Sequence, residues 1–211
     1  MIAAKVSEKT IRRLSHYARC LRLAILRGEC LVTSQQLANN CGISSAAVRR
    51  DLSTYGEFGK QGSGYNVKEL LIRIQEILGT VNPPEVIVVG AGSIGCALVE
   101  SGLEGTGGYI YTGMFDSDPD ITGKKCRGMK VQHLSKVSDY IRKNKETIAV
   151  MAVSSGQGQA ALNYLVNAGC KAVLSFNVEP LQAPEGVELR YVEVSTELDV
   201  LTHSMRRKGA K

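Results

Sequence analysis

The chain has 211 residues, 44% of them apolar and 22% charged, with 26 Lys and Arg against 20 Asp and Glu. Such a balance describes an ordinary globular protein of one large domain or two small ones. No run approaches the ~20 consecutive apolar residues of a membrane span, and the N-terminus has no apolar signal core, so a cytoplasmic protein with no membrane partner is expected. The six cysteines (Cys20, Cys30, Cys41, Cys96, Cys126, Cys170) are scattered without a Cys-x-x-Cys pair. That pattern predicts reduced core thiols and no metal site. Charge is divided unevenly. Residues 1–82 hold 12 Lys and Arg and 6 Asp and Glu, residues 83–211 hold 14 of each, and the whole excess of +6 therefore precedes Pro83-Pro84. A basic first domain joined to a neutral second one suggests a polyanion partner for the first.

Residues 8–27 read as a helix with Ile11, Leu14, Ala18, Leu21 and Ile25 near the 3.6-residue period, stopped by Gly28. Arg12, Arg13, Arg19 and Arg22 decorate it as a solvated basic face. Thr33 to Leu52 has helix-turn-helix grammar. Thr33 or Ser34 caps a short helix, Ala38 is small where two helices cross, and Gly42 can take the positive φ of the turn. Ile43 fills the space between helices, Ser44 can cap the second helix, and Val48 and Leu52 point inward at i and i+4. Ser44, Ser45, Ala46, Arg49 and Arg50 are then the candidate DNA-binding residues. A recognition helix offers its N-terminal side chains to base edges in the major groove, where Arg can bind guanine bidentately. A plain α-hairpin would show the same pattern, and the basic charge favours DNA. Tyr55 to Asn66 is rich in glycine and aromatics and reads as a β-hairpin wing, with a flexible loop as the alternative. Lys60, Gln61 and Gly62 near its tip are candidate phosphate or minor-groove contacts. Residues 68–79 form a joining helix with Leu70, Leu71, Ile74, Ile77 and Leu78 on one face, and Asn82-Pro83-Pro84 is the domain boundary.

The second half opens with an apolar strand, Val86 to Val89, that enters Gly90-Ala91-Gly92-Ser93-Ile94-Gly95. A helix-forming stretch follows, and a second strand, 109–115, ends at Asp116. Glycines at these positions let backbone amides approach a pyrophosphate at a helix N-terminus. A carboxylate at the next strand's end accepts hydrogen bonds from ribose hydroxyls and repels a 2′-phosphate. NAD(H) is expected over NADP(H), because no basic residue follows Asp116 until Lys124. Asp118-Pro119-Asp120 reads as a turn, 135–144 as a helix, and Thr147 to Val153 as a strand buried on both faces. Ser154-Ser155-Gly156-Gln157 follows at the edge that carries Gly92, as ligand contacts or as a helix cap. A helix over 158–168, a strand over 172–175 and a last helix over 195–207 complete the chain. Phe176, at a strand tip, is set either to line a nicotinamide pocket or to be ordinary core.

Arg49-Arg50-Asp51-Leu52-Ser53, Gly56-Glu57-Phe58-Gly59-Lys60, Gly64-Tyr65-Asn66-Val67, the Gly90–Gly95 turn, Phe115-Asp116-Ser117-Asp118-Pro119 and Ser195-Thr196-Glu197-Leu198 together resemble the Rex family of redox-sensing bacterial repressors. The resemblance runs from about residue 6 to residue 205. It implies an α/β architecture: an N-terminal winged helix-turn-helix domain with its linker helix (1–82), a Rossmann-like parallel-sheet domain (83–194) and a C-terminal helix (195–211) swapped onto a partner subunit. It also implies a homodimer on double-stranded operator DNA, NADH and NAD+ as ligands, and Val153 among the residues near the dinucleotide. An ion pair between Arg19 and Glu193 is a further implication. The chain departs from the family pattern at Gln61, Ser101, Ser154, Ser175, Asn177, Val178 and Glu193. Most of these lie near the expected nicotinamide end or dimer interface.

A repressor that releases operator DNA when NADH binds is therefore the expected function, and a winged-helix repressor with a weakened NADH response is the alternative. An enzyme is not expected. Hydride transfer needs an acid–base group beside the nicotinamide, and of the histidines only His133 lies near the cleft. No catalytic residue is assigned.

Overall fold

The computed structural model describes residues 7–56, 64–103, 108–144 and 146–208. The chain forms two compact units, parted between Pro83 and Pro84.

The first unit begins with α1, Glu8–Leu26, capped by Ser7, whose hydroxyl accepts from the Thr10 amide. Leu14, Ala18 and Leu21 are buried as the periodicity predicts, and Tyr17 and Ala24 join them. β1 (Leu31–Val32) leads into α2 (Ser34–Cys41), which carries a reciprocal capping box between Thr33 and Gln36. Such a box satisfies two amides that the helix cannot. Gly42 ends α2 in the left-handed region at φ 65°, and this is the tight turn that aims the next helix. That helix, α3, spans Ser45–Ser53 and is capped by Ser44. β2 (Tyr65–Asn66) pairs antiparallel with β1, and α4 (Val67–Leu78) follows, capped by Asn66 and stopped at Gly79. One cluster, which includes Leu14, Tyr17, Leu37, Val48, Leu52 and Ile74, holds all four helices. Burying each such side chain is worth roughly 1.5–3 kcal/mol. The wing reading falls largely on residues 57–63, so Lys60, Gln61 and Gly62 lie outside the described residues.

The second unit is a sheet of seven strands in the order β5-β6-β4-β3-β7-β8-β9. These are β3 (Glu85–Val89), β4 (Ile110–Asp116), β5 (Lys125–Cys126), β6 (Met129–His133), β7 (Thr147–Met151), β8 (Ala172–Ser175) and β9 (Glu188–Tyr191). All pairings are parallel except that of β5 with β6. Without β5, the order is that of a dinucleotide-binding fold, in which the chain reverses direction across the sheet beside its first strand. α5 (Ser93–Leu103), α6 (Val137–Lys143) and α7 (Gly158–Asn167) connect the strands. Two apolar clusters form around the sheet. One includes Ile87, Val89, Phe115, Ala149 and Leu162, and the other Val86, Val88, Val99, Met114 and Val150. The alternation along β3 shows that its residues serve both clusters, which explains the unbroken apolar run. α8 (Val194–Lys208) ends the described chain, and Leu198, Leu201 and Met205 on it are exposed.

The structure departs from the sequence pattern in three places. β7 stops at Met151, so Val153 lies beyond the strand. β5, β6 and β9 were not anticipated, because each is short and half-exposed and none shows an apolar run. Cys96 and Cys126 are joined by a disulfide rather than remaining thiols. Cys20, Cys30, Cys41 and Cys170 are thiols, and burial, followed by the hydrogen bond between Cys41 and Cys20, pushes the Cys41 thiol up to about 12.

Candidate functional site

In the first unit, the candidate site is the outer face of α3. Val48, Asp51 and Leu52 face inward, while Ala46, Arg49 and Arg50 are exposed and Ser45 is half-buried. The Ser44 hydroxyl accepts from the Ala47 amide at 3.2 Å and so acts as the cap. Arg49 donates through Nη1 to Ser34 Oγ at 3.2 Å, which holds its guanidinium beside the start of α2. The helix therefore presents little bulk at its N-terminal end, as close approach to a groove requires, and two cations further along, Arg50 in its last turn.

A buried network fixes the orientation of that face. Arg13 grips Asp51 with two hydrogen bonds of 2.6 Å, and the Tyr17 hydroxyl donates to the same carboxylate at 2.8 Å. Burial pushes the Asp51 carboxyl up, but the hydrogen bonds from Arg13 and Tyr17 outweigh it, so the group lies below its ordinary value. Burial, followed by the bond to Asp51, pushes the Tyr17 phenol up. The sequence reading placed Arg13 on a solvated face, and that is incorrect. Its signal was the i, i+4 pairing of Arg13 and Tyr17 along the stripe that buries Leu14 and Leu21. A charged residue on an apolar stripe needs a partner of opposite sign.

In the second unit, the candidate site lies at the carboxyl edge of the sheet. Strand register places Val89 opposite Phe115 and Met151, and Asp116 opposite His133. The chain leaves β3 through Gly90, at φ 103°. A Cβ there would lie 2.3 Å from the Ala152 carbonyl oxygen, and one at Gly95 would lie 2.0 Å from that of Gly90. Neither position admits a side chain. A Cβ at Gly92 would meet nothing within 4 Å. Two glycines are thus needed for packing, while the middle one leaves an open surface over the turn. The Gly92 carbonyl accepts from Cys96, so α5 begins directly after it. The first amides of a helix have no intrahelical partner and favour an anion.

Asp116 closes this turn. Its Oδ2 accepts from the Ala91 amide at 2.7 Å and its Oδ1 from the Asp118 amide at 2.9 Å. The carboxylate is therefore oriented by backbone and half-buried at the turn's flank. Ser93 and Ile94 are exposed beside it. Phe176 packs against the cluster that contains Ala91, whereas Val153 packs against the opposite one. The structure thus brings Phe176 to the side of the glycine turn, and it leaves Val153 to contribute its carbonyl, which accepts from the Asn177 amide group at 3.1 Å. Serine contacts after β7 were one reading of that segment. Instead, Glu179 occupies the turn, accepting from Gly156 and Gly158 amides and from the Ser155 hydroxyl at 3.0–3.3 Å. The sequence held no signal for this internal carboxylate, because it arrives from a loop about two dozen residues away. His133 bonds Ser135 at 2.8 Å. No cluster of residues suited to a metal ion occurs among the described residues.

The geometry defines a class: a helix-turn-helix protein whose second unit has the strand order and glycine turn of a dinucleotide-binding domain. Comparison with known proteins agrees. Residues 5–53 match the family described as "Putative DNA-binding protein N-terminus", and residues 81–178 match the family described as "CoA binding domain". The redox-sensing transcriptional repressor Rex of Carboxydothermus hydrogenoformans is 41% identical over 96% of this chain and 98% of its own length. The solved structure of RSP in complex with β-NAD+ and operator DNA aligns with a TM-score of 0.83, 32% identity and coverage of 98% of this chain and 95% of that one. RSP in complex with β-NADH aligns at a TM-score of 0.82 with 29% identity over 98% and 97% of the two chains. The chain belongs to the Rex family of redox-sensing transcriptional repressors.

Proposed function

We propose that this protein is a dimeric repressor that binds palindromic operator DNA and follows the NADH/NAD+ balance, leaving the DNA when its dinucleotide sites are filled with NADH. The observation that carries this reading is the glycine turn and its carboxylate: Gly92 is open to a ligand while Asp116 is locked beside it through the Ala91 amide. Those residues fit a dinucleotide. Gly90, Ala91, Gly92, Ser93, Ile94 and Gly95 would hold the pyrophosphate, and Asp116 would accept from ribose hydroxyls. Phe176 would flank the nicotinamide end, with Val153 nearby. The dinucleotide would supply no reaction here, only binding energy that differs between its oxidised and reduced forms. A nearly complete switch needs several kcal/mol of such difference.

DNA reading falls to Ser45, Ala46, Arg49 and Arg50, with Ser44 holding the helix end and Lys60, Gln61 and Gly62 as wing contacts. The working division is a winged domain over 1–82, a dinucleotide domain over 83–194 and a dimerisation helix over 195–211. Exposure of Val194, Leu198, Val200, Leu201 and Met205 along α8 supports a second copy as its cover. No described helix is long and apolar enough to cross a membrane, and a cytoplasmic site of action is proposed. The protein acts as a regulator, with no turnover of the dinucleotide.

Asn177 favours a second reading, in which the NADH response is weakened. Its side chain is buried and its Oδ1 has no hydrogen-bond partner, at a position where the chain departs from the family pattern. Fluorescence anisotropy on a short palindromic operator at fixed salt separates the two readings. Release by NADH and not by NAD+ supports the sensor. Tight binding indifferent to both leaves a constitutive repressor.

A further inference from the structure

We propose that Cys96 and Cys126 form a reversible dithiol–disulfide site that controls the dinucleotide turn, giving the protein a thiol input beside its dinucleotide input. The proposal rests on the dinucleotide reading above. Cys96 directly follows Gly95 and lies in the first turn of α5, while Cys126 is on β5. The two are bonded, with their Cα atoms 5.8 Å apart. Cys96 is tied into the turn on both sides. Its amide donates to the Gly92 carbonyl at 2.9 Å, and its Sγ lies 3.3 Å from the Ala91 carbonyl oxygen. The Ala91 amide is the group that holds Asp116. The disulfide therefore sits one peptide away from the carboxylate expected to take the ribose.

The other end is equally fixed. Cys126 precedes Arg127-Gly128, both with positive φ (49° and 88°), between paired strands β5 and β6. This is the two-residue hairpin that matches strand twist, and a non-glycine residue is held there only when its surroundings over-determine it. Besides the disulfide, an ion pair of Arg127 with Glu100 at 3.1 Å joins this hairpin to α5, and both residues are exposed. Exposed pairs contribute little. With the disulfide intact, the hairpin braces the first turn of α5. After reduction that brace is lost, and the Cys96 thiol can donate weakly to the Ala91 carbonyl. In reducing compartments disulfides are ordinarily transient or redox-sensing.

The exchange balances with a dithiol reductant. A reductant thiolate attacks the Cys96 sulfur, half-exposed where Cys126 is buried. The S–S bond breaks, and Cys126 leaves as thiolate and takes a proton from water. The second reductant thiol, as thiolate, attacks the mixed disulfide and releases Cys96, which is protonated in turn. The protein gains two electrons and two protons, and the reductant becomes a cyclic disulfide.

The test uses the full chain poised in reduced or oxidised dithiothreitol, with thiols trapped by alkylation and mapped by peptide mass, and NADH titrated by fluorescence. The brace pre-organises the turn, so reduction is expected to weaken NADH binding roughly five-fold. Cys126→Ser is expected to show the weaker affinity under both conditions, and a Cys20→Ser/Cys41→Ser double variant to behave as wild type. Alkylation of Cys96 and Cys126 in both conditions overturns the proposal, and so does equal NADH affinity in the two forms. Absence of NADH binding in both forms would instead overturn the dinucleotide reading and take this proposal with it.

Discussion

The two units build their sites in opposite ways. In the winged unit, the proposed DNA contacts are side chains on the outside of α3, above a buried charged network. In the α/β unit, the proposed dinucleotide contacts are largely backbone, and carboxylates at the edge already accept from backbone amides, Asp116 from Ala91 and Glu179 from Gly156 and Gly158. A side-chain site can lose one contact and keep its fold. A backbone site tolerates no side chain at Gly90 or Gly95, where a single Cβ collides with the chain.

Variants that act on one unit and spare the other sharpen this contrast. The largest effect is expected for Asp51→Ala, which strands Arg13 and Tyr17. Arg13 is partly exposed, so the lower end of the range for breaking a buried pair applies, about 3 kcal/mol of stability. Urea denaturation followed by helix signal would measure it, and NADH binding should be unchanged. Acid should act on the same network. The folded carboxyl lies below its ordinary value of 3.8, so its contribution is fully present above about pH 4 and is lost as pH falls through the lower folded value. The stability difference between wild type and Asp51→Asn should accordingly shrink only in that acid range.

Arg50→Ala should weaken operator binding by about 1–3 kcal/mol with stability intact, read by anisotropy. A loss equal on random DNA would assign Arg50 to phosphate rather than to a base. Asp116→Asn removes the charge but leaves an acceptor near Ala91. It should weaken NADH about ten-fold and narrow the margin against NADPH, because the repulsion of a 2′-phosphate disappears. The smallest effect is expected for Thr33→Ala, about 1 kcal/mol of stability from the lost cap.

Legibility in the sequence followed the same division. The glycine turn and Asp116 could be read, since their chemistry demands those residues at that spacing. The helix-turn-helix could be read from Gly42, Ser44 and the Val48/Leu52 stripe. What the sequence hid was tertiary. Arg13 resembled surface charge and nothing local marked Asp51 as its partner, since the two are 38 residues apart and meet only in the folded unit. Glu179 and the Cys96–Cys126 bond join segments over twenty residues apart, and no local pattern announces such pairs. β9 was missed because Glu188–Tyr191 alternates charged and half-buried residues, which resembles a loop as much as an edge strand.

The central claim is that one unit reads DNA and the glycine turn of the other decides whether it stays bound. The most direct test titrates NADH into operator complexes of wild type and Gly92→Leu, a side chain that the turn has room for and that would cover its open surface. The account predicts release of wild type and retention of Gly92→Leu, with equal starting affinities for DNA. Release of both proteins at the same NADH concentration would contradict it.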